Sequence, residues 1–203
     1  MILNDAKKML DSFLRDRLES VFGFSRVECL SYSRPANEEL GLLTFSCRAD
    51  ARGCIAFTFS VGVRVKSLAR WLDDVAETKP TVVVPIHLLR EDTAFVEWKF
   101  TCVEDLEITW DSVAGDIRNL AIPFVTKYSK IPEIRRAMES PTPHDWLNFG
   151  RDARVTVLAT IRFLEGDKYG AIGMLDEALV ERAAAPPKRR FEIAYLRKRL
   201  MQG

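Results

Sequence analysis

Between Gly41 and Val65 apolar and small residues alternate with a period of two. From Ile55 to Val63 the odd positions (Ile55, Phe57, Phe59, Val61, Val63) are apolar and the even ones (Ala56, Thr58, Ser60, Gly62) are small. Upstream, Leu43, Phe45, Cys47 and Ala49 alternate with Leu42, Thr44, Ser46 and Arg48. Successive side chains on a strand point to opposite faces, so both stretches are expected to be half-buried strands. Their register follows from parity. Directly opposed residues share a face, and a two- or four-residue loop would set an odd position against an even one. A three-residue loop, Ala51-Arg52-Gly53, instead pairs Cys47 with Phe57, Phe45 with Phe59 and Leu43 with Val61. Glycine accepts the left-handed conformation that ends such a loop, so a bulge is expected at Gly53.

Helical spacing appears on both sides of this hairpin. Ala6, Met9, Leu10, Phe13, Leu14, Leu18, Val21 and Phe22 form one apolar stripe, which predicts a helix over Asp5–Phe22, capped by Asn4 and stopped by Gly23. Arg26–Arg34 reads as a first strand and Lys66–Thr78 as a second helix. Thr81–Leu89 reads as a strand that Pro85 confines to an edge, and Ala94–Val103 as a further alternating strand. Asp111–Tyr128 is expected to be a helix kinked near Asn119, because Pro123 removes one backbone bond. Ile131–Glu139 follows as a short helix with Pro132 in its first turn.

After Ser140-Pro141-Thr142-Pro143 only helical periods remain. Arg151–Leu164, Tyr169–Ala183 and Lys188–Met201 read as three helices. The expected organisation is an α+β domain over residues 1–140, with an antiparallel five-stranded sheet and flanking helices in the order α-βββ-α-ββ-α, then a helical appendage over 141–203.

Composition narrows the class. The chain has 203 residues, 47% hydrophobic and 29% charged, and a net charge of +1. That balance gives no global field toward nucleic acid, and no apolar run reaches the roughly 20 residues of a membrane helix. The amphipathic, charged N-terminus does not read as a signal peptide, so the expected compartment is the cytoplasm. Charge asymmetry is confined to the C-terminal end, where Arg182, Lys188, Arg189, Arg190, Arg197, Lys198 and Arg199 face only Glu192. Nucleic-acid contact is the functional reading of that tail. A solvated helix face is preferred, with Phe191, Ile193, Ala194, Leu196 and Leu200 turned inward and no exposed aromatics among the charges.

Catalytic constellations are missing. Cys29, Cys47, Cys54 and Cys102 have no C-x-x-C spacing, and His87 and His144 stand apart, so no metal site is expected. Adjacent acids such as Asp73-Asp74 and Glu104-Asp105 diverge in direction, and His144-Asp145 follows Pro143 as a turn cap. Neither a phosphate-binding glycine loop nor a G-x-S-x-G elbow is present, and no cofactor is expected. The surface of most interest is the small-residue face of the hairpin: Thr44, Ser46, Thr58 and Ser60, flanked by Arg48 and Arg64. An alternative is a dispersed pocket for a small-molecule substrate or ligand, assembled from Tyr32, Arg34, His87 and Trp98.

Three resemblances accompany this reading. The element order over Asn4–Tyr128 resembles the type III secretion chaperone fold, a twisted antiparallel sheet backed by helices. Phe22-Gly23-Phe24, Tyr32-x-Arg34 and Phe57-Thr58-Phe59-Ser60-Val61-Gly62-Val63 resemble an uncharacterised bacterial domain family, with Ser60 where that family has asparagine; the family implies no activity. Ala159-x4-Leu164-x-Gly166-Asp167-x-Tyr169-x-Ala171-x3-Leu175-x3-Leu179 resembles one tetratricopeptide-type helical hairpin. The expectation is therefore a non-enzymatic domain, immunity-protein or chaperone-like, that binds another protein or a second copy of itself, with neither membrane nor nucleic acid as partner.

Overall fold

The computed structural model describes residues 2–50, 54–72, 80–92, 94–142, 147, 149–183 and 187–203. The chain forms two compact units, Met1–Arg64 with Val82–Ser129, and Val65–Thr81 with Lys130–Gly203.

The first unit is α+β, with an antiparallel sheet and flanking helices. Its elements are α1 (Leu3–Phe22), β1 (Ser25–Glu28), β2 (Ser31–Ala36), β3 (Glu39–Ala49), β4 (Ile55–Arg64), β5 (Val82–Pro85), β6 (Trp98–Phe100), α3 (Val103–Asp116) and α4 (Ile122–Tyr128). The short α2 (Lys66–Ala69) belongs to the second unit. Strands run in the order β1-β2-β3-β4-β5, and β6 also pairs with β4. Because β5 meets Ser60–Val63 and β6 meets Ile55–Phe57, the two lie end to end along one edge of β4. The β3–β4 ladder has the register that parity demands: Leu43 opposite Val61, Phe45 opposite Phe59 and Cys47 opposite Phe57. The loop at 51–53, with the bulge expected at Gly53, lies outside the described residues, as do 73–79 of the expected second helix.

All the odd-numbered hairpin residues from Ile55 to Val63 are buried, as are Leu43 and Phe45. Helices cover this face. Tyr32 reaches α1, Trp98 donates its Nε1–H to Ser112 of α3 at 3.1 Å, and α4 packs on β3 and β4. At Gly41 the approach of α4 is so close that an added Cβ would sit 2.5 Å from a Val125 methyl. Gly41→Ala is therefore expected to cost about 1–3 kcal/mol through overpacking. Val125→Ala in the same chain should recover part of that loss. Urea melts of the two single variants and the double variant measure the coupling, and strict additivity would show that the two positions do not touch.

Four expectations are corrected. The stretch Arg26–Arg34 is two strands, giving six among the described residues, because Leu30 takes a left-handed conformation (φ 61°) and turns the chain between them. The strand expected over Ala94–Val103 shortens to Trp98–Phe100, since the Asp105 carboxylate accepts the N–H of Thr101 at 2.7 Å and starts α3 at Val103. The strand expected over Thr81–Leu89 stops at Pro85, and Ile86–Leu89 forms a 3-10 turn. At the N-terminus α1 begins at Leu3, with Ile2 rather than Asn4 in the cap position. Gly23 does end that helix, with φ 70°. Upstream of Pro123 the helix widens into a π turn over Ile117–Ala121, the form taken by the disturbance expected near Asn119.

The second unit contains α2, α5 (Ile131–Glu139), α6 (Arg151–Leu164), α7 (Lys168–Glu181) and α8 (Pro187–Gln202). Helices α6, α7 and α8 pack on one another around Ala159, Ala171, Leu175, Ala178, Ile193, Leu196 and Leu200, and Trp71 and Leu72 close this cluster. The turn into α7 is fixed by Gly166 at φ 91° and by Asp167, whose carboxylate accepts the Gly170 N–H at 2.8 Å.

Candidate functional site

The even-numbered side of the β3–β4 ladder sets Thr44 opposite Ser60, Ser46 opposite Thr58 and Arg48 opposite Ala56. Thr44 and Ser46 are exposed, while Thr58, Ser60 and Arg64 are half-buried. Arg64 stands opposite Leu40 at the other end of the strip from Arg48. Arg48 makes a bidentate pair with Glu97 at 2.7 and 2.6 Å, and Lys99 reaches Asp50 at 3.2 Å. These pairs are solvated and contribute little stability, yet they occupy the charges that would have framed a ligand on the strip. The Thr58 hydroxyl is buried without a hydrogen-bond partner among the described residues.

Each residue of the dispersed pocket has its own structural partner. The Tyr32 hydroxyl donates to Asp11 Oδ1 at 2.8 Å. Arg34 donates to the Phe22 carbonyl at 3.0 Å and lies over the Phe24 ring. Trp98 stacks on Phe59 with ring centroids 5.7 Å apart. His87 stands in the 3-10 turn, edge-on to Phe95, with its Nδ1 buried and without a partner among the described residues. That turn packs against the π turn, near Asp116. Burial raises the Asp116 carboxyl against the pull of Arg90, 3.7 Å away, and its Oδ2 has no partner among the described residues. Two under-satisfied polar groups thus stand beside the π turn. His144 and Asp145 lie outside the described residues.

The concave surface lies elsewhere, along α8. Ile193, Leu196 and Leu200 are buried at helical spacing. Phe191, Tyr195 and Lys198 fall about half a turn away, at roughly 100° per residue, and form an outward stripe. Phe191 is 67% exposed and Tyr195 43%, and their rings stack at 5.9 Å with 18° between planes. This corrects the inward placement of Phe191 and Ala194, and aromatics do interleave with the basic residues. On one side of the stripe lies a hollow of about 450 Å³, lined by Trp71, Phe149, Phe191, Tyr195 and Leu196, with Glu192 and Thr156 as polar members. On the other side Leu179, Arg190, Phe191 and Ala194 line a shallower hollow of about 380 Å³. Phe191 is the ridge between them.

The basic residues of this unit are largely engaged within it. Arg182 pairs with Asp152 at 2.7 Å, and Arg197 makes a bidentate pair with Asp176. Hydrogen bonding to Asp176 raises the Arg197 guanidinium above its ordinary value. Arg199 donates to the carbonyls of Trp71 and Arg70 at 3.0 and 2.9 Å, and its guanidinium lies over the rings of Trp71 and Tyr195. The signal that would have exposed this surface is the four-residue step from Phe191 to Tyr195, out of phase with Ile193, Leu196 and Leu200.

Among the described residues no group of three His, Cys, Asp or Glu side chains is placed to hold a metal, and no helix is long and apolar enough to cross a membrane. No family model, curated protein or solved structure matches the chain significantly.

Proposed function

We infer that this chain is a non-enzymatic protein-binding domain, and that the outward face of α8 is its contact surface. One observation carries the reading: two exposed, mutually stacked aromatics, Phe191 and Tyr195, stand between two concave hollows. Large aromatics beside pockets are the anchors of protein interfaces, because they bury much area at small cost in side-chain entropy. A chaperone-like or immunity-protein role accords with such a surface. The small-residue strip of the sheet offers less, since Arg48 at its edge is already paired with Glu97.

Phe191→Asp combined with Tyr195→Asp tests the reading. Both side chains are exposed, so the melting temperature should move little. A partner isolated on the wild-type chain and then purified should bind the double variant at least about tenfold more weakly, the equivalent of 1.4 kcal/mol. Equal binding of that purified partner by the two chains would sink the assignment of the surface.

A further inference from the structure

Resting on that reading, we propose that the α8 face takes an acidic amphipathic helix, which seats one bulky apolar side chain in each hollow astride Phe191. Three features select this occupant. The first is backbone chemistry. Helix α8 supplies the ridge, the Trp71 carbonyl is taken by Arg199, and among the described residues none that lines the two hollows lies in a strand, so an extended segment would leave its own N–H and C=O groups unmatched. A helix satisfies its backbone internally and presents side chains at spacings of three, four or seven residues.

The second is charge. Helix α8 carries six basic residues, Lys188, Arg189, Arg190, Arg197, Lys198 and Arg199, against one acid, Glu192. Arg197 is taken by Asp176 and Arg199 by two carbonyls. Arg190, which donates to the Ala183 carbonyl at 3.3 Å, directly precedes Phe191, and Lys198 follows Tyr195 by three residues; both are exposed, near the two ends of the aromatic stripe. Acidic residues flanking the apolar anchors of the incoming helix meet these two cations, a complementarity that acts chiefly on association rate and orientation.

The third is Glu192. Its carboxylate lines the larger hollow beside Trp71 and Tyr195. An anchor with a donor at its tip, a tryptophan N–H or a tyrosine hydroxyl, satisfies that acceptor where a purely aliphatic anchor would leave it unmatched. The same carboxylate repels a phosphate backbone. That sets the peptide above a single-stranded nucleic acid, although a stacked aromatic pair is also a platform for bases.

The test uses the full chain and a displayed library of random peptides about 16 residues long, roughly four helical turns. Binders retained by the wild type and lost on the Phe191→Asp, Tyr195→Asp double variant are sequenced and synthesised. The expected winners are acidic, helical when bound, and carry two bulky apolar residues three, four or seven apart, one of them tryptophan or tyrosine. Arg190→Glu with Lys198→Glu should weaken them about fivefold to tenfold, with the loss shrinking as salt is added. Glu192→Gln should narrow the preference for the donor-tipped anchor. Winners that depend on Phe191 and Tyr195 but are basic, neutral or extended would overturn the acidic helix and leave the protein-binding reading standing. If no winner depends on those residues, both fail. Binding of an oligodeoxythymidine that the double variant abolishes would reassign the face to nucleic acid. A self-association seen by sedimentation and abolished by the same variant would make a second copy the occupant.

Discussion

Asp11→Ala is expected to destabilise the chain by about 2–4 kcal/mol, because it removes the acceptor from a buried cluster and leaves the donors behind. Asp11 sits on the inner side of α1 and is 4% exposed. Its carboxylate accepts the Leu30 N–H at 2.9 Å, the Tyr32 hydroxyl at 2.8 Å and the Arg26 Nε–H at 2.8 Å. The cluster fixes the left-handed turn between β1 and β2 and ties it to the first helix. Burial alone would raise the carboxyl, but these three partners outweigh it and hold the group below its ordinary value of 3.8. Burial and the bond to Asp11 push the Tyr32 phenol in the opposite direction, far above its usual range. The folded chain therefore binds the Asp11 proton more weakly than the unfolded chain does. Its contribution is complete above pH 3.8 and fades as the pH falls below that value. Asp11→Asn should trail the wild type by a constant margin at neutral pH, and the gap should close in acid. Urea midpoints taken from pH 7 downward measure it. A gap that widens toward acid would contradict the assignment of these bonds.

Phe59→Ala should be at least as costly, about 3–5 kcal/mol, the usual range for emptying a fully buried aromatic site. Phe59 is entirely buried at the middle of an aromatic ladder. Its ring lies 5.1 Å from Phe45 across the hairpin and 5.7 Å from Trp98, nearly parallel to the latter at 15°. Phe45 in turn meets Tyr32 edge-on, and Phe57 meets both Trp98 and Phe100. Removing the central ring unsupports neighbours on both sides, whereas Phe59→Leu keeps most of the volume and should cost only about 1–1.5 kcal/mol. Chemical denaturation with near-ultraviolet circular dichroism separates the two variants. An alanine variant within about 1 kcal/mol of wild type would mean that the site collapses around the missing ring.

The parts of this structure that could be read from the sequence are those governed by period alone. Parity placed Phe45 against Phe59 because a strand has only two faces and a one-residue slip exchanges them. The boundaries of α5 and α6 follow from their helical periods, with Pro132 in the first turn of α5. The missed features depend on single local contacts. Nothing in the pattern of Ala94–Val103 announces that Asp105 will take the Thr101 N–H and turn a strand into a helix start. The approach of α4 to Gly41 joins residues far apart in the chain. Asp11, by contrast, was visible in principle, since an acid three residues before Leu14 falls within the apolar stripe of α1. The α8 surface escapes a reading by hydrophobicity, which groups Phe191 with the core, because only its angle on the helix turns it outward.

The π turn at Ile117–Ala121 has a further consequence for the face that α4 gives to the sheet. Such a turn holds one residue more than the α-helical path requires, and each residue advances a helix by about 100°. It is a phase shift written into the chain. Helix α4 is rotated by that step relative to α3, and the rotation brings Val125 down onto Gly41. Deleting one residue from the turn would leave the composition of α4 untouched and still aim a different set of side chains at the sheet. The fit of α4 is thus encoded upstream of it, in the count of residues between Asp116 and Ile122.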